Sequence, residues 1–155
     1  FLPVMEEFVT GYDPTNEMGY VVNIYVTNKT EMSLLIAAEG VIVPVTCGRY
    51  SLQGMSRFIE TVDDVKAQPN PDLNVLGMLL VKYNGRTVLA REVVSGLPEL
   101  TKKLGTGVFD SKIRKTEEVE KAQANRVPLQ RYSPDSTAAA DYDALIDELE
   151  RKGVI

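Results

Sequence analysis

The sequence predicts an α/β fold in three layers, a mostly parallel sheet with helices on both faces. Two apolar runs, Val41 to Val45 and Val75 to Val81, carry that prediction, because strands apolar on both sides belong in a covered parallel sheet. Helical spacing and a Pro-rich turn separate them, so Glu39 to Val94 reads as strand, helix, strand, helix. At 155 residues, 44% hydrophobic and 25% charged, the chain is expected to form one domain over 1–155 with a core of its own.

Residues 1–11 read as the end of a helix, with Leu2, Met5, Phe8 and Val9 on one face and Gly11 as a stop. Asp13-Pro14-Thr15-Asn16 is a turn by composition. Tyr20 to Val26 reads as a strand and Met32 to Ala38 as a short apolar helix. After the first central strand, Leu52, Met55, Ile59, Val62 and Val65 recur as on a helix packed against a sheet, with Arg57, Glu60, Asp63, Asp64 and Lys66 outward. Gln68-Pro69-Asn70-Pro71-Asp72 turns the chain into the second strand.

Residues 87–104 are helical, with Gly96 and Pro98 expected to split the helix in two. Val108 to Ile113 reads as a further strand and Thr116 to Ala124 as a helix. Asp141 to Lys152 closes the chain as a helix burying Tyr142, Leu145, Ile146 and Leu149, its acidic start and basic end matching the helix dipole.

One cysteine and no histidine remove disulfide frameworks, Cys/His zinc sites, Cys-His pairs and a Ser-His-Asp triad. No catalytic or metal-ligating residue is therefore expected, and Cys47 reads as a buried structural thiol. A net charge of −5 restricts any nucleic-acid contact to a local patch. The sequence holds no apolar stretch near the roughly 18 residues of a membrane span, and Phe1 to Met5 runs into Glu6-Glu7, unlike a signal peptide. The expectation is a cytoplasmic protein without a membrane partner.

Ligands of a parallel sheet gather beyond the carboxyl ends of its strands, which singles out Lys82-Tyr83-Asn84-Gly85-Arg86-Thr87. The guanidinium fork of Arg86 suits phosphate oxygens. On the residues alone, a solvated surface arginine at a helix start is the favoured reading. Lys112, Arg114 and Lys115 form a second basic group, readable as a solvated face or as a phosphate contact.

The order VIVPV, Tyr50-Ser51-Leu52-Gln53-Gly54-Met55, Asn70-Pro71-Asp72-Leu73 and Leu79 to Thr87 closely resembles the ParA/Soj family of DNA-partition ATPases, of the MinD-like, deviant-Walker kind. The resemblance implies a P-loop NTPase-like fold, of which this chain is a part. It further implies ATP and Mg2+ as cofactors, an ATP-dependent homodimer on non-specific DNA, a ParB-type partner protein, and a role in chromosome or plasmid partition. Arg86 matches the arginine of the family's Asp-x-Arg-Thr segment, implicated in DNA contact. A second DNA-contacting arginine of the family falls on Glu118, whose carboxylate would repel phosphate, so that contact is either lost or moved to Lys112, Arg114 or Lys115. Lys82, Ile113 and Arg114 fall on the adenine side.

The chain also departs from the family. No stretch matches G-x-x-x-x-G-K-[ST], and Leu104-Gly105-Thr106-Gly107 is followed by Val108-Phe109 without a lysine. Asn23 or Asn28 stands near the place of a family aspartate, and Arg114 replaces a proline. The resemblance reaches only the C-terminal half to two-thirds of a family member. The chain is thus expected to be either a piece of a longer ATPase or a shortened relative, and to bind neither ATP nor Mg2+ tightly alone. The alternative function is a non-catalytic truncated relative serving as a DNA- or protein-binding module.

Overall fold

The computed structural model describes residues 35–154. The readings placed on residues 1–11, 13–16 and Tyr20 to Val26, on Asn23 and Asn28, and on the start of the Met32 helix lie outside the described residues.

Three strands, β1 (Gly40–Thr46), β2 (Asn74–Tyr83) and β3 (Val108–Arg114), form one sheet in the order β1-β2-β3 with both pairings parallel. The expected strands Val41 to Val45, Val75 to Val81 and Val108 to Ile113 are present and parallel. β2 runs past Val81 through Lys82 and Tyr83, because Tyr83 still pairs with Arg114 and its carbonyl accepts the Lys115 N–H at 3.4 Å.

Helices α1 (Ser51–Ala67) and α2 (Val88–Leu104) cover one face of the sheet. Met55, Phe58, Ile59, Val62 and Val65 of α1 and Val93, Leu97, Leu100 and Leu104 of α2 join Val41, Val43, Val45, Val75, Met78 and Leu80 in the main core. After α3 (Glu117–Ala124) and the short α4 (Leu129–Tyr132), α5 (Thr137–Arg151) covers the other face. There Leu145 and Leu149 pack with Ile42, Leu79, Phe109 and Ile113, and Ala122, Leu129, Ala138 and Ala139 bind the last three helices together.

A bulge sits in the middle of the sheet. Val41 pairs with Val75 but Ile42 pairs with Gly77, one residue further than strict register allows. Val75, Met78 and Leu80 consequently all face the main core. Gly77 is required at this place, since a Cβ on it would stand 2.6 Å from Cε2 of the buried Phe109 ring.

Two expectations about helices are corrected. α2 is a single helix through Gly96 and Pro98. Leu97, Leu100 and Leu104 continue the buried face begun by Ala90 and Val93, and that packing outweighs the roughly 3 kcal/mol cost of an interior proline. Gly96 serves close approach, because a Cβ there would lie 3.0 Å from Leu52 Cδ1 of α1. α2 ends at Gly105, whose φ of 67° is the left-handed stop.

α5 begins at Thr137 instead of Asp141, capped by Ser136, whose Oγ accepts the Ala139 N–H at 3.2 Å. Its first turn therefore contains no acid. Ile146 is 41% exposed where burial was expected, and Tyr142 is half-buried. At 100° per residue the buried stripe holds Leu145, Glu148 and Leu149, which turns Ile146 outward.

Candidate functional site

The site is built where β2 and β3 end. Lys82 has a φ of 50°, and three steps along β2 from Leu80 to Tyr83 match two along β3 from Lys112 to Arg114. The extra residue is absorbed by this left-handed backbone, an arrangement that costs a lysine more than a glycine. The chain then folds tightly. Asn84 Oδ1 accepts the Arg86 N–H at 3.2 Å, and the Asn84 carbonyl accepts both the N–H and the hydroxyl of Thr87, at 3.2 and 3.1 Å. Thr87 Oγ1 in turn accepts the Ala90 N–H at 3.1 Å and caps α2. Arg86 is thus held at a helix entrance, exposed to solvent. Gly85 leaves room for the Tyr83 ring, whose Oη would lie 2.7 Å from a Cβ at that position.

Tyr83, Asn84, Gly85 and Arg86 on one side and Arg114 and Lys115 on the other line an open cleft of about 430 Å³. Three of the sequence-predicted basic residues, Arg86, Arg114 and Lys115, are therefore brought together. Lys112 stands apart from this lining: its ammonium lies 5.7 Å from the centre of the Tyr83 ring and donates to the Asp110 carbonyl at 3.4 Å. Lys82 is exposed beside the cleft. Ile113 is 3% exposed in the core, so its side chain faces Leu145 and Leu149 and only its main chain is left for a ligand.

Arg114 differs from the other two cleft cations. Its Nη2 donates to Asp141 Oδ1 at 2.6 Å, its Nε to Oδ2 at 2.9 Å, and its main-chain N–H to Oδ2 at 2.9 Å. Burial alone would raise the Asp141 carboxyl, but these hydrogen bonds and the guanidinium charge hold it below the usual carboxylate range. The same hydrogen bonds and charge raise the guanidinium. Sequence reasoning missed Asp141, which was read as the acidic start of a helix that in fact begins four residues earlier.

Glu148, two turns further along α5, is the other missed carboxylate. It is 2% exposed and accepts the N–H groups of Asp110 at 2.9 Å and Ser111 at 2.8 Å, with the Lys152 ammonium at 2.7 Å. Burial pushes its carboxyl up, and the Lys152 ammonium with the Ser111 and Asp110 N–H groups more than reverses this, to about 2. Cys47 is half-buried, which raises its thiol. Among the described residues, no cluster of His, Cys, Asp or Glu could hold a metal ion, and no helix is long and apolar enough to cross a membrane.

A family model described as an AAA domain matches residues 26–75. The chain is 34% identical over 118 residues to the chromosome-partitioning ATPase Soj of Thermus thermophilus, covering 76% of this chain and 46% of that protein. The chain is a ParA/Soj-like family member. The architecture of this ParA/Soj-like chain agrees, with a TM-score of 0.64 to the cell division ATPase MinD of Pyrococcus furiosus at 16% identity, over 83% of this chain and 49% of that one. A cobyrinic acid a,c-diamide synthase from Mycobacterium smegmatis, solved with an ATP analogue and magnesium, is 31% identical with a TM-score of 0.55, over 76% of this chain and 41% of its own. The fold is thus α/β and P-loop-like, and the ParA/Soj-like chain spans less than half the length of each of these proteins.

Proposed function

We propose that this chain acts in chromosome or plasmid partition as part of a ParA-like ATP-dependent dimer switch, and that its cleft face contacts non-specific duplex DNA. Arg86 carries the reading. It is exposed on a rigid turn, shares a cleft with Lys115 and Arg114, and has no carboxylate within 4 Å among the described residues. Phosphate contacts made by such cations position a protein on a duplex without reading its sequence. Lys112, braced against Tyr83, adds positive charge behind the cleft.

ATP fits these residues at one end only. Lys82, the Ile113 main chain and Arg114 would stand on the adenine side, whereas the sequence offers no phosphate loop and Arg114 is already paired with Asp141. Hydrolysis and ATP-driven dimerisation therefore require groups beyond those in this cleft. A ParB-type partner and a homodimer complete the reading by similarity to the partition ATPases.

Fluorescence anisotropy on a random-sequence duplex at low salt tests the DNA contact. Arg86→Ala should weaken binding several-fold and reduce the slope of log K against log salt by about 0.9, one phosphate's worth. Coincident curves for wild type and Arg86→Ala would remove the DNA role of this face.

A further inference from the structure

We propose that Asp141 is a built-in competitor of DNA phosphate, masking Arg114 so that the cleft holds a duplex with fewer cations than it carries. This rests on the DNA reading of the cleft given above. The Asp141 carboxylate engages Arg114 through Nε and Nη2, at 2.9 and 2.6 Å, the bidentate fork that a phosphate would otherwise occupy. Arg114 keeps 53% of its side chain exposed while Asp141 shows 12%. The guanidinium is therefore within reach of a duplex, and its charge is already answered from below. Arg86 and Lys115, on the same cleft, have no such partner among the described residues.

Asp141 cannot easily leave. It also accepts the Arg114 N–H at 2.9 Å, so a guanidinium that swung out to a phosphate would leave the carboxylate fixed beneath the DNA backbone as a repelling charge. The cost of that exchange lowers affinity and favours release. The pair differs in this from the Lys121–Glu117 bridge on α3, where both side chains are largely exposed, at 56% and 81%, and each can turn to solvent.

Asp141→Asn separates the charge from the scaffold, because the amide oxygen can still accept the Arg114 N–H. On a random duplex, this variant should bind about threefold tighter or more and steepen the salt slope by about 0.9, the value of one additional phosphate. In an Arg114→Ala background the same substitution should add nothing. If Asp141→Asn binds like wild type while Arg86→Ala weakens binding, the masking is wrong and the DNA face stands. If neither substitution changes binding, the DNA face falls and the masking with it. A gain that persists without Arg114 would be a general field effect and would also overturn the proposal. Asp141→Ser, neutral and shorter, gives the same comparison if the asparagine variant folds poorly by circular dichroism.

Discussion

Glu148 and Ser111 lie 37 residues apart, yet the carboxylate accepts the Ser111 main-chain N–H at 2.8 Å, and its other oxygen accepts that of Asp110 at 2.9 Å. A buried acid is thereby converted into a fastener between α5 and β3. Removing it as Glu148→Ala leaves two N–H groups and the Lys152 ammonium without their acceptor. The loss should be about 3 kcal/mol, since breaking a buried charged pair from one side costs the other side its solvation. Urea denaturation measures it, and an unchanged midpoint would show that water replaces the carboxylate freely.

The same residue sets an acid limit on stability. Its carboxyl falls from an ordinary value of 4.5 to about 2 on folding, so the unfolded chain takes up the proton first as pH drops. The stabilisation is complete above the unfolded value and drains away as pH falls from about 4.5 toward 2. Asp141, also lowered, contributes in the same direction. Denaturation midpoints of wild type and Glu148→Gln should therefore converge between pH 6 and pH 3, and a gap that stays constant would contradict the assignment.

Gly77→Ala tests the bulge. The new methyl would meet the Phe109 ring at 2.6 and 2.9 Å, and overpacking of this kind costs about 2 kcal/mol. Phe109→Leu in the same chain should recover part of the loss, a coupling that a double-mutant cycle reads directly. Additive effects would mean the ring moves aside without strain.

Asn70 ties the segment before β1 to the turn after α1. Its Nδ2 donates to the carbonyls of Leu35 at 3.0 Å and Ala38 at 2.8 Å. Asn70→Ala should cost about 2 kcal/mol, two net hydrogen bonds, and should speed amide exchange at the start of β1 before it changes the rest of the sheet. Asn70→Asp, which removes the donor, should fare no better.

The strands were legible in the sequence because two-sided burial leaves continuous apolar runs, and Val41 to Val45 and Val75 to Val81 are such runs. α1 was legible for a similar reason, its buried stripe lying at helical spacing. The carboxylates that organise the site were not. Asp141 and Glu148 bind main-chain N–H groups of residues 27 and 37 to 38 positions away, and no local pattern marks an acid whose partner is a distant backbone. Pro98 misled because its local cost is real and only tertiary packing offsets it. Arg86 was visible in sequence as a helix-entry residue, whereas the capture of Arg114 followed from an α5 start that a serine cap moved to Thr137.

Asp141 and Glu148 sit seven residues apart on α5 and between them take the N–H groups of Arg114, Asp110 and Ser111. An incoming strand needs those donors, and on this flank they are spent. Side chains of a helix thus do at β3 what a neighbouring strand does elsewhere in the sheet, satisfying three of its main-chain N–H groups.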